Sequence, residues 1–175
     1  MRWLLVAILA YACLVVETSA FRPGVLAVQV DEHWVRPDLM LVLGMFLAFY
    51  FEPGHVFIAG WLLGLASDIV SVAGRLGLKA ILFCLALYLV SHMRTNITRT
   101  RPLTQFFACM VLVFAVHVVW YVTTLLVSGA GLWLLRSAEA SALDALYSAV
   151  LAPYLFWLLM LIRAPLGVVT SEARR

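Results

Sequence analysis

Apolar residues run along this chain in long blocks broken by isolated charges and Pro/Gly pairs. The blocks predict six helices, over approximately 3–20, 37–51, 55–73, 77–92, 105–127 and 142–162. The second block is bounded by Asp38 and Glu52 and is too short to cross a hydrocarbon core of about 30 Å unless it borrows from Trp34 to Asp38. The fourth is short as well. Glu52-Pro53-Gly54 reads as a tight turn, so the second and third blocks are expected to form an antiparallel hairpin whose facing sides touch. The longest early loop, residues 21–36, includes Val25 to Val30, which suits a short extended or interfacial segment and is too short to cross as a helix.

Composition turns this pattern into a membrane protein. Of the 175 residues, 65% are apolar and 12% charged, about half the charged share of an average soluble domain. Six spans of about 20 residues would consume most of the chain. That leaves one all-α polytopic domain over residues 1–175 and no room for a second, soluble one. Lys and Arg number 12 against 9 acids, a net +3, and the basic residues are scattered over ends and loops, with no nucleic-acid footprint. Counting them by side favours both termini in the cytoplasm. Arg2, Arg94, Arg99, Arg101, Arg163, Arg174 and Arg175 then lie inside, and Arg22, Arg36, Arg75, Lys79 and Arg136 outside. Thr18-Ser19-Ala20 would suit a signal-peptide cut, but Arg2 is a weak basic start and Glu17 precedes the cut, so the first helix is expected to stay attached.

Charge inside an apolar helix is costly and needs a reason. Glu17, Asp38 and Asp68 all fall toward the outer side in this topology, near Arg22, Arg36, Arg75 and Lys79. One account is a polar cluster or partner interface built from Glu17, Arg36, Asp38, Asp68 and Arg75, in which pairing lowers the burial cost. The plainer account is that Asp38 begins a helix after Pro37 and that Glu17 reaches the interface. Gly60, Gly64, Ser67, Asp68 and Ser71 share one side of the third helix, within about 80° at 100° per residue. Gly60 and Gly64 form a G-x-x-x-G pattern that permits close helix approach. Gly77, Ala80, Cys84, Tyr88 and Ser91 make a similar stripe on the fourth helix, as do Ala142, Ala145, Ala149 and Ala152 on the sixth, and helix packing accounts for all three. His117, Tyr121 and Thr124 share a side of the fifth helix, where a proton or ligand path competes with a satisfied core histidine.

Cys13, Cys84 and Cys109 lie inside apolar blocks without disulfide or metal-site spacing. The chain has no G-x-S-x-G nucleophile motif, H-E-x-x-H zinc motif, P-loop or Rossmann glycine fingerprint, and its acids are spread over different helices with no evident nucleophile and base. No catalytic, cofactor or metal residue is therefore assigned. Asn96-Ile97-Thr98 matches a glycosylation sequon in a loop placed in the cytoplasm.

Several of these residues stand in a family pattern. Arg36-Pro37-Asp38-Leu39, a short apolar helix, a Pro/Gly turn, Gly60-x-x-x-Gly64-Leu65-x-x-Asp68, then Gly74-x-x-Gly77-x-x-Ala80 and a fourth helix containing Tyr88 resemble the MreD family of rod-shape-determining membrane proteins. The resemblance is concentrated in residues 36–90. It implies a multi-pass protein of the bacterial cytoplasmic membrane with six helices, similar in fold to the substrate-binding S-components of energy-coupling-factor transporters. It implies no enzymatic activity and no cofactor. It implies instead a place in the cell-elongation complex that makes peptidoglycan, with MreC as the binding partner and MreB and the elongation glycosyltransferase and transpeptidase nearby. Asp38 and Asp68 match the family pattern, whereas the long 21–36 loop and Arg75 between two glycines depart from it. The competing reading is a substrate-binding membrane subunit of a small-metabolite transporter. Such a subunit should hold a cavity with convergent polar and aromatic groups, and a scaffold should have a collapsed or lipid-filled interior.

Overall fold

The computed structural model describes residues 2–19, 28–30, 33–70, 77–93, 102–128 and 134–161. Six helices form its body: α1 (Arg2–Ser19), α2 (Leu39–Tyr50), α3 (Pro53–Val70), α4 (Leu78–Met93), α5 (Pro102–Ser128) and α6 (Leu134–Leu161). Between α1 and α2 lie two short strands, the first of them within the Val25–Val30 segment that the sequence reads as extended or interfacial. β1 (Val28–Val30) pairs antiparallel with β2 (His33–Val35), with Val28 opposite Val35 and Val30 opposite His33. Ser71, Arg75, Arg22 and the Asn96–Thr98 sequon lie outside the described residues.

The short second block becomes the centre of the molecule. α2 has 12 residues, a rise of roughly 18 Å, and every residue from Leu39 to Phe49 is buried. It touches each of the other helices, and Phe46 and Phe49 both meet the ring of Phe156 on α6 edge-on. An apolar helix of this length is too short to span and is covered on all sides by its neighbours. Among the described residues, three helical segments are long and apolar enough to cross a membrane: Pro53–Val70, Leu103–Thr124 and Ser141–Leu161. α2 serves as an internal strut, packed against all five other helices. Large apolar side chains on the other five helices point outward, among them Tyr11, Ile69, Leu85, Leu126 and Tyr154. An apolar exterior on this scale suits lipid and not water.

A local cap fixes where α2 starts. The Asp38 side chain accepts the Leu41 N–H at 2.9 Å, capping the helix just after Pro37. Replacing Asp38 by Ala is expected to cost about 1 kcal/mol, read as a lowered melting temperature of the detergent-purified chain.

α2 and α3 do touch across the Phe51–Glu52 turn, but α3 packs far more extensively on α4. The glycines are the reason. A Cβ added to Gly60 would lie 3.1 Å from the Cys84 Cα, and one added to Gly64 would run into the Ala80 backbone. The two helices therefore meet backbone to backbone along the G-x-x-x-G face. α5 and α6 form the second close pair. α6 begins at Leu134 and not near 142, and its buried stripe is Ser141, Ala145, Ser148, Ala149 and Ala152, while Ala142 is exposed. On α4 the stripe holds at Ala80, Cys84 and Ser91, but Tyr88 faces outward, stacked on His92, and Leu87 takes the buried place.

Candidate functional site

Polar groups collect at the end of the bundle where α1 and α3 finish and α2 and α4 begin. They make two distinct constructions.

The first is a latch between α3 and α4. Asp68, 4% exposed near the end of α3, accepts the Gly77 N–H at 2.8 Å and the Ala80 N–H at 3.3 Å through the same oxygen, Oδ2. A helix begins with N–H groups that have no partner within it, and Asp68 satisfies two of those at the start of α4 from a neighbouring helix. Gly77 sits at φ +101°, a backbone conformation that side-chain-bearing residues rarely adopt. One turn below, Gly64 lets Ala80 come close enough for the carboxylate to reach. The spacing Gly60, Gly64, Asp68, Gly77, Ala80 is thus one device in which glycines remove bulk and the acid caps what they bring near.

The second construction is a cavity of about 260 Å³ to which all six helices or their approaches contribute. α1 supplies Glu17, and the segment leading into α2 supplies Arg36, Pro37 and Asp38. Ser67 on α3 and Lys79 on α4 form one wall. His117, Trp120 and Tyr121 on α5 and Asp144 on α6 complete it. The interior at this end is not collapsed.

The walls are held by backbone bonds over long sequence separations. Asp144 Oδ1 accepts the Arg36 N–H at 2.8 Å, and Ser148 Oγ accepts the Asp38 N–H at 2.9 Å while donating to the Asp144 carbonyl. Those contacts staple the end of β2 and the start of α2 to α6. Lys79 reaches the Ser67 hydroxyl at 3.5 Å and lies 5.7 Å from the centre of the Trp120 ring, within cation–π range. His117 Nδ1 lies 2.9 Å from the Val113 carbonyl. A carbonyl can only accept, so Nδ1 carries the proton and Nε2 of the neutral ring is left as an acceptor. Asp144 is within electrostatic reach of His117, which gives the α5 histidine the acidic neighbour its own helix lacks.

Of the expected cluster, Glu17, Arg36 and Asp38 line this cavity together, and Asp68 stands apart as a helix cap. Among the described residues, Glu17, Asp38 and Asp144 close no ion pair with Lys79. They are set around a shared space. Gly60, Gly64 and Ser67 are buried as a stripe on α3, and Ser67 also reaches the cavity. Sequence reasoning left Asp144 out of the expected cluster although it falls within the sixth apolar block, set Lys79 near the acids only by side of the membrane, and gave Trp120 no role. The buried period Ser141, Ala145, Ser148 was the available signal. Among the described residues, no group of three or more His, Cys, Asp or Glu is placed to hold a metal ion.

Comparison with curated proteins gives no match, and comparison with solved structures gives none. A family model described as rod shape-determining protein MreD matches residues 1–162, which takes in the α3–α4 latch, every wall of the cavity and nearly the whole chain. The chain belongs to the MreD family of rod shape-determining membrane proteins.

Proposed function

We propose that this protein is a non-enzymatic subunit of the bacterial cell-elongation complex, seated in the cytoplasmic membrane with both termini inside, and that it acts by binding MreC. The observation that carries this reading is the family match over residues 1–162. The fold supports it in two ways. A rigid core strut and the glycine-closed α3–α4 pair make a fixed platform, and wide apolar faces on the remaining helices offer room for a partner's membrane segment. In this role the protein would hold its partner at the site of wall insertion, with MreB beneath the membrane and the elongation glycosyltransferase and transpeptidase alongside, and would make or break no bond. Kinship with the S-component fold is part of the same proposal and rests on the resemblance of residues 36–90.

The test is in-cell crosslinking of a tagged chain, detergent purification and mass spectrometry of what remains attached. MreC and wall-elongation enzymes are the expected recoveries. A transport ATPase with its coupling membrane subunit, recovered in their place, would overturn the reading. One observation favours that second reading, a metabolite-binding subunit: the cavity of about 260 Å³ has the convergent polar and aromatic lining such a subunit needs.

A further inference from the structure

We infer that this cavity is a binding site for a small zwitterion, a molecule that carries an ammonium at one end and a carboxylate or phosphate at the other. The inference rests on the cavity alone and holds whichever partner the protein serves.

The cavity lining carries both signs, with Lys79 and Arg36 as its cations and Glu17, Asp38 and Asp144 as its acids. Lys79 is positioned from α4 by the Ser67 hydroxyl and the Trp120 ring. Glu17, Asp38 and Asp144 come from α1, the start of α2 and α6. Two of the three acids spend one contact on the scaffold: Asp38 on the Leu41 N–H and Asp144 on the Arg36 N–H. The second oxygen of Asp38 and of Asp144 has no hydrogen bond among the described residues. If the charges served only to stabilise the bundle, direct pairing would be the cheapest arrangement, because separated charges at this depth are expensive. Instead the acids and Lys79 stand across a space without closing a pair. A ligand bearing both signs satisfies this mixed lining at once, its ammonium against the acids and its anion against Lys79.

Size narrows the class. A volume of about 260 Å³ lies just under the range of drug-sized pockets. It accommodates an amino acid or the headgroup of a zwitterionic lipid, but not lipid tails. Trp120 and Tyr121 add aromatic surface for the ligand's carbon atoms or its cation.

The experiment uses the full chain purified in detergent, without partners. L-alanine, L-phenylalanine and phosphoethanolamine are titrated one at a time by calorimetry, with ethylamine and inorganic phosphate as single-charge controls. At least one zwitterion is expected to saturate, with the single-charge controls weaker by about tenfold or more. Lys79→Gln and Glu17→Gln are expected to abolish that binding, and Lys79→Arg, which keeps the charge, to retain it. A parallel measurement in nanodiscs of phosphatidylethanolamine or phosphatidylglycerol distinguishes the sources. Retention of phosphatidylethanolamine alone, lost in both Gln variants, assigns the site to a lipid headgroup, and binding of a free zwitterion assigns it to a soluble ligand. Absence of binding in both formats overturns the inference, as does binding that both Gln variants leave unchanged. Because no partner is present, either result is independent of whether MreC is recovered in cells.

Discussion

Asp68→Leu is expected to be the most destabilising of the polar-to-apolar changes in this chain, lowering stability by about 3 kcal/mol. The carboxylate serves the Gly77 and Ala80 N–H groups at once, and a buried donor left without an acceptor costs about 1–3 kcal/mol. Because a single oxygen takes both bonds, Asp68→Asn can keep its carbonyl in the same place. It should lose only the part that depends on negative charge at a helix start, about 0.3–1 kcal/mol. Asp68→Lys would set a positive charge against the positive end of α4 and should be at least as harmful as Leu. Melting of the four chains in detergent gives the order wild type, Asn, Leu, Lys. Equal melting of Asn and Leu would mean that the hydrogen bonds to α4 contribute nothing, and the cap would be refuted.

Gly64→Ala should be comparably damaging through sterics alone. The added methyl would fall on the Ala80 Cα, 2.8 Å from the Lys79 carbonyl oxygen and 2.9 Å from the Ala80 nitrogen. These are backbone atoms, which cannot turn aside as a side chain can. The helices must separate, which costs roughly 1–3 kcal/mol or more and draws Asp68 away from its two donors. Gly60→Ala meets its nearest atom at 3.1 Å and should cost less. Gly54→Ala meets nothing within 4 Å and should cost nothing measurable. The graded order Gly54, Gly60, Gly64 in melting temperature is the signature of close α3–α4 packing, and three equal shifts would contradict it. A double variant with Asp68→Leu should be less than additive, since both changes break the same contact.

Much of the latch was legible in the chain because its parts are local. Gly60, Gly64 and Asp68 share a helical face by spacing alone, and Gly77 and Ala80 lie just beyond the loop that follows. The assignment of Asp68 to a cap needed the structure, since a lone acid in an apolar helix reads equally well as a buried charge seeking a cation. The cavity was less legible. Arg36 and Asp144 are 108 positions apart, and no period within either segment announces their contact. His117 and Tyr121 stood out as a polar stripe on α5, but their acidic neighbour came from another helix.

The second block shows the same division. Its brevity, set by Asp38 and Glu52, was plain, and brevity permits either a borrowed span or a buried strut. Only the packing of the other five helices around it decided for the strut. The chain by itself determined the apolar blocks, the glycine face and the start of α2 at Asp38, because these depend on propensity, period and nearest neighbours. The tertiary structure decided which charges share a space, because charges distant in sequence meet only when the helices that carry them are packed side by side.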